Sequence, residues 1–277
     1  MSSDPDLEVI GGEFRAPDDH TPSFLFVHGT CSSADMWSPW IRRLHGSGVP
    51  ARALSLRGHG RSAGDLDQTT FDDYIGDVTS VLAADPSPTV LVGHSMGGFV
   101  VQHIVATLAP TSVVAAVLVT PAPPRGMRAD TFRMMRRRPL AFARASRHRD
   151  IRLIYSGGGL VDLLLYPGAP DGLEQTVRAS IGPESWQAAS EMNTRTVPVP
   201  RDPRIPVLTM SGSLDRMVSP QHSRQTAAAW KGPYLELPSR GHMLPVEPGW
   251  ELACDLMLAW TRQTSNEVLD RGSRGAV

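Results

Sequence analysis

The sequence predicts an α/β protein, a doubly wound and mostly parallel sheet with a helical cap inserted into it. Three observations carry that expectation. Short apolar, β-branched runs alternate with helix-period segments over the first 120 residues, the pattern of a parallel sheet covered on both faces. The alternation stops at Thr120-Pro121-Ala122-Pro123-Pro124 and resumes at Ile205-Pro206-Val207-Leu208-Thr209-Met210. Finally, one strand enters its helix through Gly93-His94-Ser95-Met96-Gly97, which places a serine on the turn.

The elements follow in order. Leu7 to Phe14 alternates loosely and reads as an edge strand. Phe24-Leu25-Phe26-Val27 is a buried strand that ends in His28-Gly29-Thr30, and the helix after it starts near Ser33 or Ala34, with Trp37, Trp40, Ile41 and Leu44 at helical spacing. Val49 to Leu56 is a third strand, ending in Arg57-Gly58-His59-Gly60-Arg61-Ser62. A helix over Thr69–Ala84 opens on a Thr-x-x-Asp cap, Thr70 to Asp73. Thr89 to Val92 is the strand before the serine, and a helix runs from Met96 to about Leu108. Val113 to Val119 is the last strand before the break. Beyond it, Tyr234–Leu237 reads as the final strand and Glu247–Trp260 as the final helix. The expected organisation is a core of 1–120 and 204–264, a cap of 121–203 made of short helical pieces, and a mobile polar tail over 265–277.

Composition narrows the function classes. An apolar share of 41%, a charged share of 20% and a net charge of −1 describe a soluble globular chain with no overall bias toward nucleic acid or anionic membrane. Cys31 and Cys254 are too few and too far apart for a disulfide framework or a metal cluster. No zinc-type spacing and no phosphate-binding glycine loop occurs, so no cofactor or metal is expected. With no apolar run of membrane length and an acidic start, Met1-Ser2-Ser3-Asp4, a cytoplasmic location is expected.

The serine turn is the chemical centre. Glycines on either side let the backbone bend sharply, so the hydroxyl points out of the sheet, and the following helix aims its N–H groups at the same place. With its apolar strand and helix, this motif resembles the nucleophile elbow of the α/β-hydrolase superfamily, and the resemblance extends from about Phe24 to Trp260. It implies an α/β-hydrolase fold, a nucleophile at Ser95, and a histidine base in the loop before the last helix, where Ser239-Arg240-Gly241-His242 places His242. A carboxylate must orient that base. Asp215 follows a buried strand through Ser211-Gly212-Ser213-Leu214, and the order Ser95, Asp215, His242 matches the superfamily's. An aspartate there can equally stabilise its own turn. The oxyanion donors are expected at the backbone N–H groups of Met96 and Thr30. Cys31, Tyr155, Tyr166, Trp186 and Met192 are candidates for the substrate pocket. His28 and His59 read as loop-ordering residues, His103 as a satisfied core residue, and Glu247 as a helix-start residue.

Serine at the elbow, rather than aspartate, argues against the epoxide hydrolases and haloalkane dehalogenases of the same fold. The expected activity is hydrolysis of a small or medium carboxylic ester through an acyl-enzyme. Two enzymatic alternatives stand beside it: an esterase-like lyase eliminating a carboxylate in natural-product biosynthesis, and a thioesterase or acyl transferase acting on a carrier-bound acyl chain. A receptor built on a degenerate hydrolase fold is disfavoured, since all three triad positions are filled. The carrier alternative rests on ten arginines between Arg125 and Arg152, against only Asp130 and Asp150. That run is either a solvated face or a docking surface for an acidic carrier protein or anionic substrate.

Overall fold

The computed structural model describes residues 5–12 and 21–274, with the backbone alone for 265–274. Among them, seven strands form one sheet: β1 (Val9–Ile10), β2 (Ser23–Val27), β3 (Ala51–Leu54), β4 (Thr89–His94), β5 (Val113–Val119), β6 (Val207–Gly212) and β7 (Tyr234–Leu237). Their spatial order is β1-β3-β2-β4-β5-β6-β7, and every neighbouring pair is parallel except β1 with β3. The chain steps from β2 outward to β3, then crosses back to β4 on the other side. Right-handed crossovers therefore put α1 (Ser38–Gly46) on one face, and α2 (Phe71–Ala84) and α3 (Met96–His103) on the other. The last helix, α10 (Trp250–Arg274), packs on α1. The reversal leaves a crevice beyond the carboxyl ends of β2 and β4, where such sheets bind ligands.

The central strands read as continuous apolar runs because both their faces are covered. All six residues of β4 are buried. Trp37 and Trp40 pack on Phe26 of β2, with ring centroids 4.7 and 6.1 Å away. The Thr70–Asp73 pair forms a reciprocal capping box, and α2 starts one residue later at Phe71.

Between β5 and β6 the chain forms α4 (Arg128–Arg137), α5 (Pro139–His148), α6 (Gly159–Leu163), α7 (Asp171–Ser180) and α8 (Trp186–Glu191), with no strand among the described residues. The insert turns Met127, Met134, Tyr155, Leu160, Leu163, Val177 and Met192 inward. Among the described residues, no helix is long and apolar enough to cross a membrane.

Three details differ from the sequence pattern. A helix, α9 (Pro220–Ala229), lies between β6 and β7. Its sequence PQHSRQTAAA has no apolar stripe, and it starts on local chemistry instead: the Ser219 side chain caps the first turn and Pro220 follows. The last helix begins at Trp250, not Glu247, because Glu247 folds back on its own loop. That helix also continues past Trp260 to Arg274, through most of the expected tail. Residues 275–277, and Glu13 and Phe14 of the expected edge strand, lie outside the described residues.

Candidate active site

Ser95 stands between β4 and α3 at φ 52° and ψ −113°, a left-handed conformation that a residue with a side chain rarely adopts. Its surroundings enforce it. The Ser95 N–H donates to Val119 O at 3.0 Å, while its carbonyl accepts from Phe99 and Ala122 N–H, both at 3.1 Å. Gly93 and Gly97 are needed for the approach of backbone to backbone: a methyl on Gly93 would meet the Gly97 carbonyl, and one on Gly97 the Val27 and His28 carbonyls.

The structure brings the serine, histidine and aspartate into one hydrogen-bonded line. His242 Nε2 lies 2.9 Å from Ser95 Oγ, and His242 Nδ1 lies 2.8 Å from Asp215 Oδ2. The other Asp215 oxygen accepts the N–H groups of Met217 and Val218, each at 2.9 Å. The turn-stabilising and histidine-orienting readings of Asp215 thus describe one carboxylate, one oxygen each. With Asp215 accepting, Nδ1 carries the proton and Nε2 is free to accept from the serine hydroxyl.

The loop of His242 is held from several sides. Its N–H donates to Leu164 O at 3.0 Å. Its carbonyl accepts from His94 Nε2 at 2.9 Å and from Thr120 Oγ1 at 3.1 Å. Glu247 accepts the N–H groups of Gly241 (2.7 Å) and Met243 (3.0 Å), so it supports this loop rather than starting the helix. Burial pushes the Glu247 carboxyl up to about 7, and the two amides oppose that only in part. Burial first, and then the neighbouring His242, push His94 down to about 3, so it serves as a neutral donor.

Of the expected oxyanion donors, Met96 N–H is the first of α3 and has no carbonyl one turn earlier. Thr30 N–H, in the loop after β2, donates no hydrogen bond among the described residues. Both residues border the serine region, Thr30 directly lining the cavity over Ser95. The Cys31 thiol is buried and its pKa lies well above the ordinary thiol range, first through burial and then through Glu184. That is the opposite of an activated nucleophile.

His28 and His59 order loops, as follows from their partners. Leu56 N–H donates to His28 Nε2 at 3.0 Å, leaving Nδ1 to donate to Gly29 O at 2.8 Å. Burial, then the neighbouring His59, push His28 down to about 3. His59 donates to Arg57 O at 3.0 Å and to Glu184 at 3.3 Å. Burial opposes its charge, but the Glu184 carboxylate together with the Arg57 and Leu56 backbone outweighs burial and raises its pKa. His103 is a correction: its buried Nε2 has no hydrogen-bond partner among the described residues, it lies among the rings of Phe71 and Phe99, and burial lowers its pKa to about 4.

A cavity of about 60 Å³ lies over Ser95 and His242, lined by Thr30, Cys31, Met127, Tyr155, Met192 and Met217 among others. It adjoins a chamber of about 480 Å³ between α4, α5 and α8, with Thr30, Met127, Tyr155, Met192 and Met217 as shared wall. Trp186 lines the larger chamber only. Tyr166 lines neither; its ring lies under the Arg240 guanidinium, 5.9 Å from the centroid. The insert also supplies the buried Glu184, which sequence reading missed. It lies in a non-periodic Gly-Pro-Glu-Ser stretch, where spacing carries no signal of contact with the core.

The model of the alpha/beta hydrolase family matches residues 24–251. The chain belongs to that family. As an α/β-hydrolase it is similar to a non-heme chloroperoxidase of Streptomyces lividans, 37% identical over 108 residues that cover 39% of each chain. It is also similar to esterase PIR7B of Oryza sativa subsp. japonica, 35% identical over 121 residues, 41% of this chain and 45% of that one. The α/β-hydrolase chain spans less than half the length of these curated relatives in each match. Among solved structures, a thermophilic esterase from Thermogutta terrifontis superposes with a TM-score of 0.74 at 19% identity, covering 94% of both chains.

Proposed function

We propose that this α/β-hydrolase is a serine-dependent carboxylic ester hydrolase working through an acyl-enzyme. The observation that carries the reading is the unbroken Ser95–His242–Asp215 line beneath a small cavity. Ser95 Oγ attacks the ester carbonyl as its proton passes to His242 Nε2. Asp215 holds the tautomer and stabilises the imidazolium. The tetrahedral oxyanion is held by the Met96 and Thr30 amides, for which no other acceptor is seen among the described residues. His242 returns the proton to the departing alkoxide, then activates a water to release the acid.

The cavity sizes suggest a small group at Ser95 and a larger apolar portion in the 480 Å³ chamber under the insert, which serves as a cap. Met127, Met134, Met135, Met192 and Met217 in these walls are unbranched and adaptable, which suits more than one ester.

The test is turnover of short p-nitrophenyl esters together with labelling by a fluorophosphonate. Ser95→Ala is expected to abolish labelling and to lower kcat by about 10³-fold or more at unchanged Tm. Wild-type activity in that variant would remove the nucleophile assignment. On the natural ester an alcohol is the expected co-product; recovery of an alkene would replace hydrolysis by elimination.

A second reading concerns the cap's charged face. Arg125, Arg128, Arg136, Arg144, Arg147 and Arg149 are exposed and make no ion pair among the described residues. Met135, Pro139, Ala143 and Ser146, exposed beside them, line the larger chamber. An acidic carrier protein or an anionic substrate docked on α4 and α5 would therefore deliver its acyl group at the chamber's opening.

A further inference from the structure

The cap segment Gly182–Ser185 grips the loop that carries the Thr30 amide, and its buried carboxylate is the centre of the grip. Cys31, the next residue after Thr30, is held at φ 60°, a left-handed conformation unfavourable for a side-chain-bearing residue. Both of its backbone groups are engaged from the cap. Cys31 N–H donates to Glu184 Oε2 at 3.0 Å, and Cys31 O accepts Gly182 N–H at 2.9 Å. Such a conformation persists only where the surroundings over-determine it, and here the two contacts that do so come from the insert, not from the sheet.

Glu184 is itself fully satisfied. Beyond Cys31 it accepts from Tyr74 Oη at 2.6 Å, His59 Nε2 at 3.3 Å and its neighbour Ser185 N–H at 2.8 Å. Its donors thus come from the loop after β2, the loop after β3, and α2. Burial disfavours its charge, yet His59 and these donors hold its pKa below the ordinary carboxylate range. A carboxylate with this many convergent donors is rigid, and so fixes the direction of whatever it binds. Ser185 Oγ anchors the same segment to Thr69 O at 2.6 Å.

We propose that Glu184 is a positioning residue for ester hydrolysis: by clamping Cys31 it aims the Thr30 amide at the oxyanion, so that the oxyanion hole is complete only with the cap seated. The proposal rests on the hydrolase reading above. An oxyanion donor acts on the transition state, not on ground-state binding, so loosening it lowers kcat and leaves KM nearly alone.

The experiment compares Glu184→Ala, Glu184→Gln and Gly182→Pro for kcat, KM and Tm on a p-nitrophenyl ester, and for Ki of a trifluoromethyl ketone, whose hemiketal oxygen occupies the oxyanion position. Glu184→Ala is expected to lower kcat by about 10²-fold and to raise Ki in parallel, with KM changed by no more than about threefold. Glu184→Gln keeps an oxygen for the Cys31 amide and is expected to recover most of the loss. Should Glu184→Ala fail to fold, Gly182→Pro carries the test. It removes the donor to Cys31 O and sets the ring Cδ where that hydrogen pointed, so this contact must open; a Cβ at position 182 meets nothing nearer than that oxygen at 4.0 Å, and Ile181 (φ −73°, ψ 109°) has the extended form that precedes proline. About a tenfold fall in kcat with a matching rise in Ki is expected from it. Unchanged kcat and Ki in a folded Gly182→Pro, or a kcat loss with Ki unmoved, would overturn the proposal. A wild-type protein that turns over no ester and takes no fluorophosphonate label is a separate result, which overturns the hydrolase reading itself.

Discussion

At the scale of single residues, Asp215 and Glu247 are two buried carboxylates with different fates. Asp215 divides its oxygens between the histidine and its own turn. Asp215→Asn keeps the shape but can present an amide N–H to Nδ1, which favours the wrong histidine tautomer. The expected cost is about 10³- to 10⁴-fold in kcat with Tm little changed, measured on the same p-nitrophenyl ester. Burial raises the Glu247 pKa to about 7. The folded state then binds a proton that the unfolded chain, with an ordinary carboxyl, has released. Its stabilising contribution is full below the unfolded pKa and is lost as pH rises through about 7. Urea unfolding of the wild type from pH 5 to 8 should show this decline, and Glu247→Gln should flatten it. Equal slopes in the two proteins would show that Glu247 does not titrate in this range.

At the scale of elements, the serine depends on how closely α3 approaches β2. Gly97 allows that approach, since a methyl there would meet two β2-end carbonyls. Gly97→Ala is expected to cost about 1–3 kcal/mol and to lower kcat as Ser95 and Met96 shift. Gly172, in α7, has nothing within 4 Å of a built methyl. There alanine removes only unfolded-chain freedom, and Gly172→Ala is expected to be neutral or to stabilise by up to about 1 kcal/mol. Thermal unfolding of the two variants measures the contrast. A Gly97→Ala protein as stable and active as Gly172→Ala would show that the elbow tolerates a wider gap than its geometry implies.

At the scale of the whole molecule, the arginines of the insert between β5 and β6 divide into two groups. Arg133 pairs with Asp130 and Arg137 with Asp162, while Arg138 donates to the Ser156 and Gly157 carbonyls and so ties α4 to the turn before α6. Replacing the consecutive run 136–138 would therefore damage the insert's structure along with its charge. The informative variant is Arg136→Ser with Arg144→Ser and Arg147→Ser. If this face attracts an anionic carrier or substrate, kcat/KM falls as the Debye length shrinks from about 30 Å at 0.01 M salt to about 8 Å at 0.15 M. The triple variant should lie low and flat across that range, and a neutral short ester should respond to neither change. Identical salt curves for parent and variant on carboxylate-bearing substrates would make the face plain solvated surface.

Much of this molecule is set by local sequence. The strand runs Phe24–Val27 and Thr89–Val92 specify buried parallel strands because both their faces must be apolar, and the Thr70–Asp73 box opens α2 through contacts three residues apart. Gly93-x-Ser95-x-Gly97 marks the elbow, because only glycine permits the backbone contacts on either side of the serine. Chain order and loop position were enough to single out Asp215 and His242. Their meeting was a different matter: His242 lies 147 residues from Ser95, and its seat is made by Leu164, Thr120, His94 and Glu247 from four parts of the chain. The same holds for Tyr166, turned away to Arg240, for His103, whose Nε2 has no hydrogen-bond partner among the described residues, and for Glu184. That last carboxylate lies 153 residues from the Cys31 amide it binds, in a stretch with no helical or strand period. Local rules govern turns, caps and buried runs, which act over a few residues. Contacts between the insert and the loops after the strands exist only once the sheet has reversed direction at β2 and brought those loops together, so only the tertiary structure decides them.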